Sequence, residues 1–147
     1  MEILDKFIEV PDAQLSLPQF SQLMMSVKGG DQVFESKNHG LFNAGLFGRL
    51  LAAHPSEFTK ILAPIEPDHV QHIVVEIQIN PEVIKTMTAR RLLEPVYIVT
   101  LDDEAPHLLI DGHHRMVRAY MLGQQHIKAI IASPAMTDLI HVVKAAL

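Results

Sequence analysis

The chain has 147 residues, of which 48% are hydrophobic and 20% charged, a balance typical of a folded domain and unlike that of a disordered or fibrous chain. Twelve Lys and Arg against 17 Asp and Glu give a net charge of −5, which disfavours nucleic acid as a partner because duplex-binding domains present a basic face. The absence of cysteine excludes disulfides, thiolate zinc sites and a cysteine nucleophile.

The N-terminal stretch is acidic and interrupted by Pro11, which is unlike a signal peptide. No apolar run of the sequence reaches the roughly 18 residues that span a bilayer. We therefore expect a cytoplasmic protein that makes no contact with membranes.

The first 65 residues differ in composition from the rest, since they hold all six phenylalanines and five of the seven glycines. Apolar residues at helical spacing predict a helix over residues 17–27. The glycine-rich stretch 29–48 predicts an irregular loop that leads into a short helix over residues 46–53. We interpret residues 1–65 as a mostly helical extension that packs on the main domain and offers a surface for a homodimer or another partner.

Residues 66–147 alternate short Val- and Ile-rich runs with helical stretches. Asn80 and Pro81 supply a capping side chain and a first-turn proline, and Gly123 suits the left-handed residue after a helix. The predicted elements are a strand over His72 to Ile79, a helix from Asn80 to about Leu93, a strand over Val96 to Leu101, a strand over His107 to Ile110, a helix over Arg115 to Leu122, a strand over His126 to Ala132 and a final helix from Ser133. This β-α-β-β-α-β-α order predicts a mixed α/β (α+β) domain.

The densest polar cluster, Asp111-Gly112-His113-His114-Arg115, lies where a predicted strand ends and a helix begins. The first amides of a helix lack intrahelical partners and lie at the positive end of its dipole, so such a junction suits phosphate. Gly112 permits close approach to the backbone, and Arg115 offers a fork of donors to phosphate oxygens. Asp111 is a candidate ligand for Mg²⁺, which prefers carboxylate and phosphate oxygens. The cluster therefore predicts a nucleotide phosphate site.

The run HLLIDGHHRMVRAYMLGQQHIKAIIA, preceded by EPVYIV, resembles the ParB/sulfiredoxin-like family over about residues 70–132. Members of that family share a strand, a turn into a helix and a following strand. The resemblance implies that the turn holds nucleotide phosphates. It also implies that the loop before the preceding strand, which here contains Glu94 and Pro95, helps to shape the pocket.

Within that family the turn is most similar to that of free-serine kinases, which also carry Asp-Gly-His-His-Arg and transfer phosphate to a small hydroxyl substrate. Sulfiredoxins have a cysteine where this chain has His113, so we do not expect sulfinic acid reduction. Chromosome-partitioning members have a Glu-Arg-Arg turn and a following helix-turn-helix domain, so we do not expect a segregation clamp either. The resemblance implies a kinase or NTPase that uses ATP or ADP, with CTP as an alternative, together with Mg²⁺.

That activity would assign catalytic roles to Asp111, His113 and His114 and to a glutamate upstream of the turn. Glu76 is preferred to Glu66 for this glutamate because it lies on the predicted first strand. The two histidines are adjacent and diverge by roughly 100° on a helix, so we do not expect them to bind one metal together.

Each candidate also has a structural alternative. Asp111 is a potential helix cap without a ligand, and Arg115 a potential salt-bridge partner of Asp102 or Glu104. For Glu76 the ordinary explanation is a polar residue on the exposed face of a strand, and it is favoured over a role as general base.

Three functions are therefore weighed. The leading one is a nucleotide-binding protein that transfers or hydrolyses a phosphoryl group. The second is a DNA-associated nuclease or a plasmid- or phage-encoded accessory factor of the same family, which the negative charge disfavours. The third is a non-enzymatic interaction domain in which the turn is only structural.

Overall fold

The computed structural model describes residues 31–77, 79–102 and 106–144, which form strands and helices in alternation. The strands are β1 (Val33–Ser36), β2 (Gly40–Asn43), β3 (Phe58–Pro64), β4 (Val96–Thr100), β5 (His107–Asp111), β6 (His126–Ala132) and β7 (Val143–Lys144). The α-helices are α1 (Ala44–Ala53), α2 (Pro67–Glu76), α3 (Pro81–Lys85), α4 (Ala89–Leu92), α5 (His113–Met121) and α6 (Pro134–Ile140). The chain is thus a mixed α/β protein, as predicted, and the predicted helix over residues 17–27 lies outside the described residues.

Contacts divide the chain into two compact units. The terminal unit comprises residues 1–57 and 132–147, and the central unit comprises residues 58–131. The division into residues 1–65 and 66–147, drawn from composition, stays a prediction. None of the helices in the described ranges is long and apolar enough to cross a membrane.

The terminal unit contains an antiparallel hairpin where the sequence predicts an irregular loop. Strands β1 and β2 pair in a register that sets Phe34 opposite Phe42, and β7 pairs with the other edge of β2. The turn between the strands ends at Gly40, whose positive φ of 107° suits glycine. The prediction was wrong for residues 33–43 because the two strands, VFES and GLFN, are four residues each and show no period-two alternation that would mark them. Residues 31–65 therefore hold strands as well as a helix, and this part of the chain is not mostly helical.

The start of α1 is fixed by a buried polar cluster in the terminal unit. Asp31 is 5% exposed, forms an ion pair with Arg49 and accepts a hydrogen bond from Asn43 Nδ2 at 3.1 Å. The Oδ1 atom of Asn43 accepts a hydrogen bond from the amide of Leu46, which caps the helix. A Cβ on Gly45 would lie 2.2 Å from Oδ1 of Asp31, so the buried carboxylate requires glycine there. The short helix predicted over residues 46–53 is confirmed.

The central unit is organised around a sheet of order β3-β6-β4-β5. Strand β4 pairs antiparallel with β5 and parallel with β6. Apolar residues from the sheet and from α2, α3 and α5 form one core, namely Ala63, Ile65, Val70, Ile73, Ile84, Val96, Leu109, Met116, Val117, Ala119, Ile127 and Ala129. The strands predicted over residues 96–101, 107–110 and 126–132 are confirmed.

The strand predicted over residues 72–79 is wrong, because residues 67–76 form the helix α2. Pro67 occupies its first turn, and Val70 and Ile73 form its buried face at a spacing of three residues. The alternating pattern used for the strand covers the last turn of this helix and the residues after it. The strand that precedes α2 in the chain is β3, which the sequence analysis missed.

The helix predicted from Asn80 to about Leu93 is two short helices, α3 and α4. Its start is confirmed, since Oδ1 of Asn80 accepts a hydrogen bond from the amide of Glu82 at 3.0 Å. Thr86 ends α3, and the hydroxyl of Thr88 caps α4 by accepting the amide of Arg91. Threonine side chains compete with the helix for backbone hydrogen bonds, which explains the break.

The last two helices agree closely with the helices predicted from the sequence. Helix α5 begins two residues earlier than predicted, at His113, and is followed by Gly123 with a positive φ of 78°. Helix α6 begins after Ser133, whose hydroxyl accepts the amide of Met136 at 3.2 Å.

Candidate functional site

The Asp111–Arg115 turn joins the end of β5 to the start of α5 in the central unit. Gly112 caps the helix in a left-handed conformation with φ of 101°. A Cβ at this position would lie 2.4 Å from Cγ1 of Val96 on the neighbouring strand β4. The turn therefore requires glycine at position 112 for the backbone conformation and for packing against β4. The reason given from the sequence was different, namely that glycine permits a ligand to approach the backbone closely.

The backbone amides at the start of α5 lie in the same turn. The amide of Met116 donates to the carbonyl of Gly112 at 2.9 Å, so the amides of residues 113–115 precede the first intrahelical bond. No side chain of the described residues caps this helix. A helix start with several uncapped amides attracts anions, since the dipole adds to the unpaired donors.

Arg115 is buried beneath the turn, with its side chain only 6% exposed. Its Nη2 atom donates to the carbonyl of Pro95 at 3.0 Å and lies 3.3 Å from Oδ2 of Asp111. Its Nη1 atom lies 3.8 Å from Oε2 of Glu94. The structure thus brings these four residues together, and the guanidinium is held by two carboxylates that the sequence analysis did not consider as its partners.

One donor of this guanidinium is unused. Nε of Arg115 is buried, and among the described residues it has no hydrogen-bond partner. A buried donor without an acceptor costs free energy, so an oxygen atom supplied to Nε by a ligand or by water would be stabilised.

His113 is the most strongly perturbed histidine of the turn. Burial lowers its pKa to about 4, and nearby His69 and His114 lower it as well. The Asp111 carboxylate and a hydrogen bond to the backbone of Leu109 act in the opposite direction. His113 is therefore neutral at pH 7.

His114 makes a different contact from its neighbour. Its Nε2 atom accepts a hydrogen bond from the amide of Asn80 at 3.0 Å, which ties α5 to the start of α3. Burial and then the positive charge of Arg91 lower its pKa. An accepting Nε2 places the ring proton on Nδ1. The two adjacent histidines serve separate contacts, as their expected divergence on a helix requires.

Two residues beside the turn were missed by the sequence analysis. Tyr97 lies opposite Asp111 in the pairing of β4 with β5. Burial raises the pKa of Tyr97, the Asp111 carboxylate raises it further, and the charge of Arg115 lowers it. His69 on α2 lies near enough to His113 to lower its pKa. Aligning the predicted strands β4 and β5 as an antiparallel pair would have suggested Tyr97 as a neighbour of Asp111. No signal in the sequence placed His69 near the turn.

The proposed upstream glutamates lie away from this cluster of contacts. Glu76 is the last residue of α2 and is exposed, and Glu66 is the exposed residue that precedes that helix. Neither carboxylate is among the charges that shift the pKa of His113 or Tyr97. No described contact joins Glu76 to the turn.

Metal ligands are sparse in the described ranges. No group of three or more His, Asp or Glu side chains there could hold a metal ion. Asp111, whose side chain is 30% exposed, nevertheless fits Mg²⁺ bound together with phosphates, because that ion often takes one or two protein carboxylates and completes its shell with water and phosphate oxygens.

Comparison with family models, with curated proteins and with solved structures gives no match for this chain. The resemblance to the ParB/sulfiredoxin-like family rests on the quoted residues alone. The function must therefore be inferred from the geometry of the turn.

Proposed function

We propose that this protein binds a nucleotide at the Asp111–Arg115 turn and belongs to the ParB/sulfiredoxin-like class. The supporting observation is that, within residues 31–77, 79–102 and 106–144, no side chain caps the start of α5 and no acceptor pairs with Nε of Arg115 in its first turn. Backbone amides at helix starts bind phosphate in nucleotide-binding proteins, and arginine guanidinium groups form strong hydrogen bonds to phosphate.

In this proposal the amides of residues 113–115 and Arg115 hold the phosphates. The loop at Glu94 and Pro95 borders the site, because both residues contact the guanidinium. The nucleotide is ATP or ADP, with CTP as the alternative. We also propose that the protein is cytoplasmic.

The charges of the site favour a nucleotide that arrives with a cation. Arg115 contributes one positive charge, Asp111 and Glu94 contribute two negative charges, and His113 is neutral at pH 7. A free polyphosphate would be repelled by this net negative charge. Asp111 would hold Mg²⁺, and the ion would neutralise phosphate charge.

The chemistry that fits such a turn is phosphoryl transfer of the kinase or NTPase type. This reaction depends mainly on positioning and on charge stabilisation, which fixed amides and a guanidinium supply. The acceptor would be water or a small hydroxyl substrate. Neutral His113, and His114 if its bond to Asn80 opens, are the candidate hydrogen-bond acceptors for that hydroxyl. Glu76 stays a prediction that no described contact supports.

Calorimetric titration tests the proposal. ATP, ADP and CTP with Mg²⁺ would be titrated into the wild type, Asp111→Asn and, as a matched control, Asp138→Asn, whose exposed carboxylate pairs with Lys144. We expect micromolar binding by the wild type and the control, and at least about tenfold weaker binding by Asp111→Asn. Absence of binding by the wild type at millimolar nucleotide would contradict the proposal. Release of ADP from ATP, with and without small hydroxyl compounds, would then measure turnover.

One observation favours a second candidate, an interaction domain in which the turn is structural. Arg115 already bonds to Pro95 and Asp111, as a purely structural arginine would. In that case the N-terminal region would supply the partner or dimer surface. A folded wild type that binds no nucleotide, and elutes as a dimer or captures a protein partner, would support it. A DNA-associated role is less favoured because the net charge is −5.

A further inference from the structure

Strand β5 contains one residue more than its partner β4 at the point where it reaches the Asp111–Arg115 turn. Ile98 of β4 pairs with Leu109 of β5, and the next pair is Tyr97 with Asp111. Between these two pairs β4 advances by one residue and β5 by two, which is the pattern of a β-bulge. Bulges re-aim side chains and are frequent beside active sites. This irregularity is therefore a sign of function that does not depend on the start of α5.

The bulge determines which residue of β4 lies opposite the Asp111 carboxylate. In uninterrupted pairing, Asp111 would lie opposite Val96, a core residue with no exposed surface. With the bulge, Asp111 lies opposite Tyr97, and side chains of directly paired residues have Cβ atoms about 5 Å apart. The closeness of the phenol to the carboxylate thus follows from the register of the two strands.

Tyr97 is also close to the residues that hold the Arg115 guanidinium. It follows Pro95 by two residues on the chain, and the Pro95 carbonyl accepts the hydrogen bond from Nη2 of Arg115. Burial raises the pKa of the Tyr97 phenol, Asp111 raises it further, Arg115 lowers it and Glu94 raises it. The phenol is therefore protonated at pH 7 and is a neutral hydrogen-bond donor.

A neutral donor suits a site that already contains two carboxylates and one guanidinium, because it bonds to an anion without changing the net charge. Tyr97 is half-buried and the Asp111 side chain is 30% exposed, so both residues are accessible at the turn. We propose that Tyr97 is a further binding residue of this site, whose hydroxyl donates a hydrogen bond to a phosphate oxygen of the magnesium nucleotide held at Asp111. This inference rests on the proposed function and adds a residue of β4 to its site.

The experiment removes the hydroxyl and nothing else. Tyr97→Phe keeps the aromatic ring, and Tyr120→Phe is the matched control, because Tyr120 is the other tyrosine of the chain and is exposed on α5. Calorimetry would measure the affinities of Mg²⁺·ADP and Mg²⁺·pyrophosphate for the wild type and both variants. Circular dichroism and urea unfolding would establish that each variant is folded.

The tyrosine signals give a second measurement that does not depend on a variant's affinity. The chain has two tyrosines, so protein labelled with ¹³C at tyrosine Cζ gives two signals, which the Tyr120→Phe variant assigns. We expect Mg²⁺·ADP to shift the Tyr97 signal saturably, with the Kd found by calorimetry, and to leave the Tyr120 signal in place.

Tyr97→Phe should weaken the binding of both magnesium complexes by about tenfold, which is the effect of one hydrogen bond to a charged group. The loss should be equal for ADP and pyrophosphate, because the contact is to phosphate. Tyr120→Phe should match the wild type within about twofold.

The other outcomes separate this inference from the proposed function. Wild-type affinity of Tyr97→Phe would overturn the role of Tyr97 and leave nucleotide binding intact. A loss for ADP with none for pyrophosphate would place Tyr97 at the nucleoside and overturn the phosphate contact. A loss for both ligands without a shift of the Tyr97 signal would assign the hydroxyl a structural role and also overturn it. No binding of either ligand by the wild type would overturn both proposals.

Discussion

Nη2 of Arg115 donates a hydrogen bond to the carbonyl oxygen of Pro95 at 3.0 Å, which links the first turn of α5 to the residue before β4. The same guanidinium contacts Asp111, and its Nε has no hydrogen-bond partner in the part of the chain that the structure describes. One side chain thus holds the turn together while one of its buried donors makes no hydrogen bond to the described residues. Any binding experiment on Arg115 therefore needs a measurement of folding stability beside it.

Replacing Arg115 should destabilise the protein even without a ligand. Arg115→Met removes the donor to Pro95 and the counter-charge of Asp111, and we expect a loss of about 2 kcal/mol in the free energy of unfolding. Arg115→Lys should also be destabilised, because one ammonium does not reproduce the planar fork. Urea unfolding measures the stability of both variants. Arg118→Ala, one turn along α5, is the control, and its free energy of unfolding should stay within about 0.5 kcal/mol of the wild-type value. An equal loss of stability from substitutions at both positions would contradict the structural role of Arg115.

Gly112→Ala should be among the most destabilising changes in the turn. Its Cβ would lie 2.4 Å from Cγ1 of Val96, and the left-handed backbone adds strain, so we expect a loss of about 3 kcal/mol. Gly123→Ala is the matched control: its φ is also positive, but a Cβ there would meet no atom of the described residues within 4 Å. At Gly123 the backbone strain alone should lower the free energy of unfolding by about 1 kcal/mol.

A double-mutant cycle separates the two causes at Gly112. If the clash matters, Val96→Ala combined with Gly112→Ala should cost less than the sum of the single changes. Strict additivity in denaturant unfolding would show that the backbone conformation alone requires glycine.

The contact between His114 and Asn80 predicts a specific ring tautomer. Because Nε2 accepts the Asn80 amide, the proton should reside on Nδ1 at pH 7.5, which long-range ¹H–¹⁵N spectra of the ring would show. His114→Ala should lower the free energy of unfolding by about 1 kcal/mol. His107 is exposed, so the control substitution His107→Ala should change this free energy little. A ring protonated on Nε2 would rule this contact out.

Stability should depend on pH through His113. Burial lowers its folded pKa to about 4, whereas its unfolded pKa is about 6.5. The folded state then binds fewer protons than the unfolded state, so the full stability is present above about pH 6.5 and is lost as the pH falls toward 4. The loss from this group should reach about 3 kcal/mol. The lowered pKa values of His69 and His114 act in the same direction.

Comparison with His113→Asn isolates this effect from the protonation of carboxylates. The difference in unfolding free energy between the wild type and the variant should shift by about 3 kcal/mol between pH 7.5 and pH 4. His126→Asn at an exposed position provides the control. A difference that does not change with pH would mean that His113 titrates normally in the folded protein.

Local signals predicted much of the central unit. Strands β4, β5 and β6 follow from β-branched runs, and the start of α3 follows from a capping residue and proline. The same signals predicted the start of α6 in the terminal unit. The polar turn was placed correctly between a strand and a helix. These features depend on neighbouring residues, which is why the sequence alone identified them.

Features that depend on tertiary contacts were not predicted. The apolar residues near 75 alternate as in a strand, but Pro67 and the buried pair Val70 and Ile73 make that segment a helix. The partners of Arg115 come from a strand end and a loop twenty positions earlier. The influence of His69 on the pKa of His113 depends on the packing of α2 on α5. Such contacts need the register of the sheet and the packing of the helices, which short-range patterns do not contain.

The central claim is that phosphates bind to the amides at the start of α5. Titration of Mg²⁺·ADP into ¹⁵N-labelled protein, followed by amide chemical shifts, tests it most directly. We expect saturable shifts that are largest at residues 112–115, and no shifts of similar size when uncharged adenosine is titrated as a control. Saturable binding with its largest shifts elsewhere in the chain, or no shifts at millimolar nucleotide, would contradict the claim.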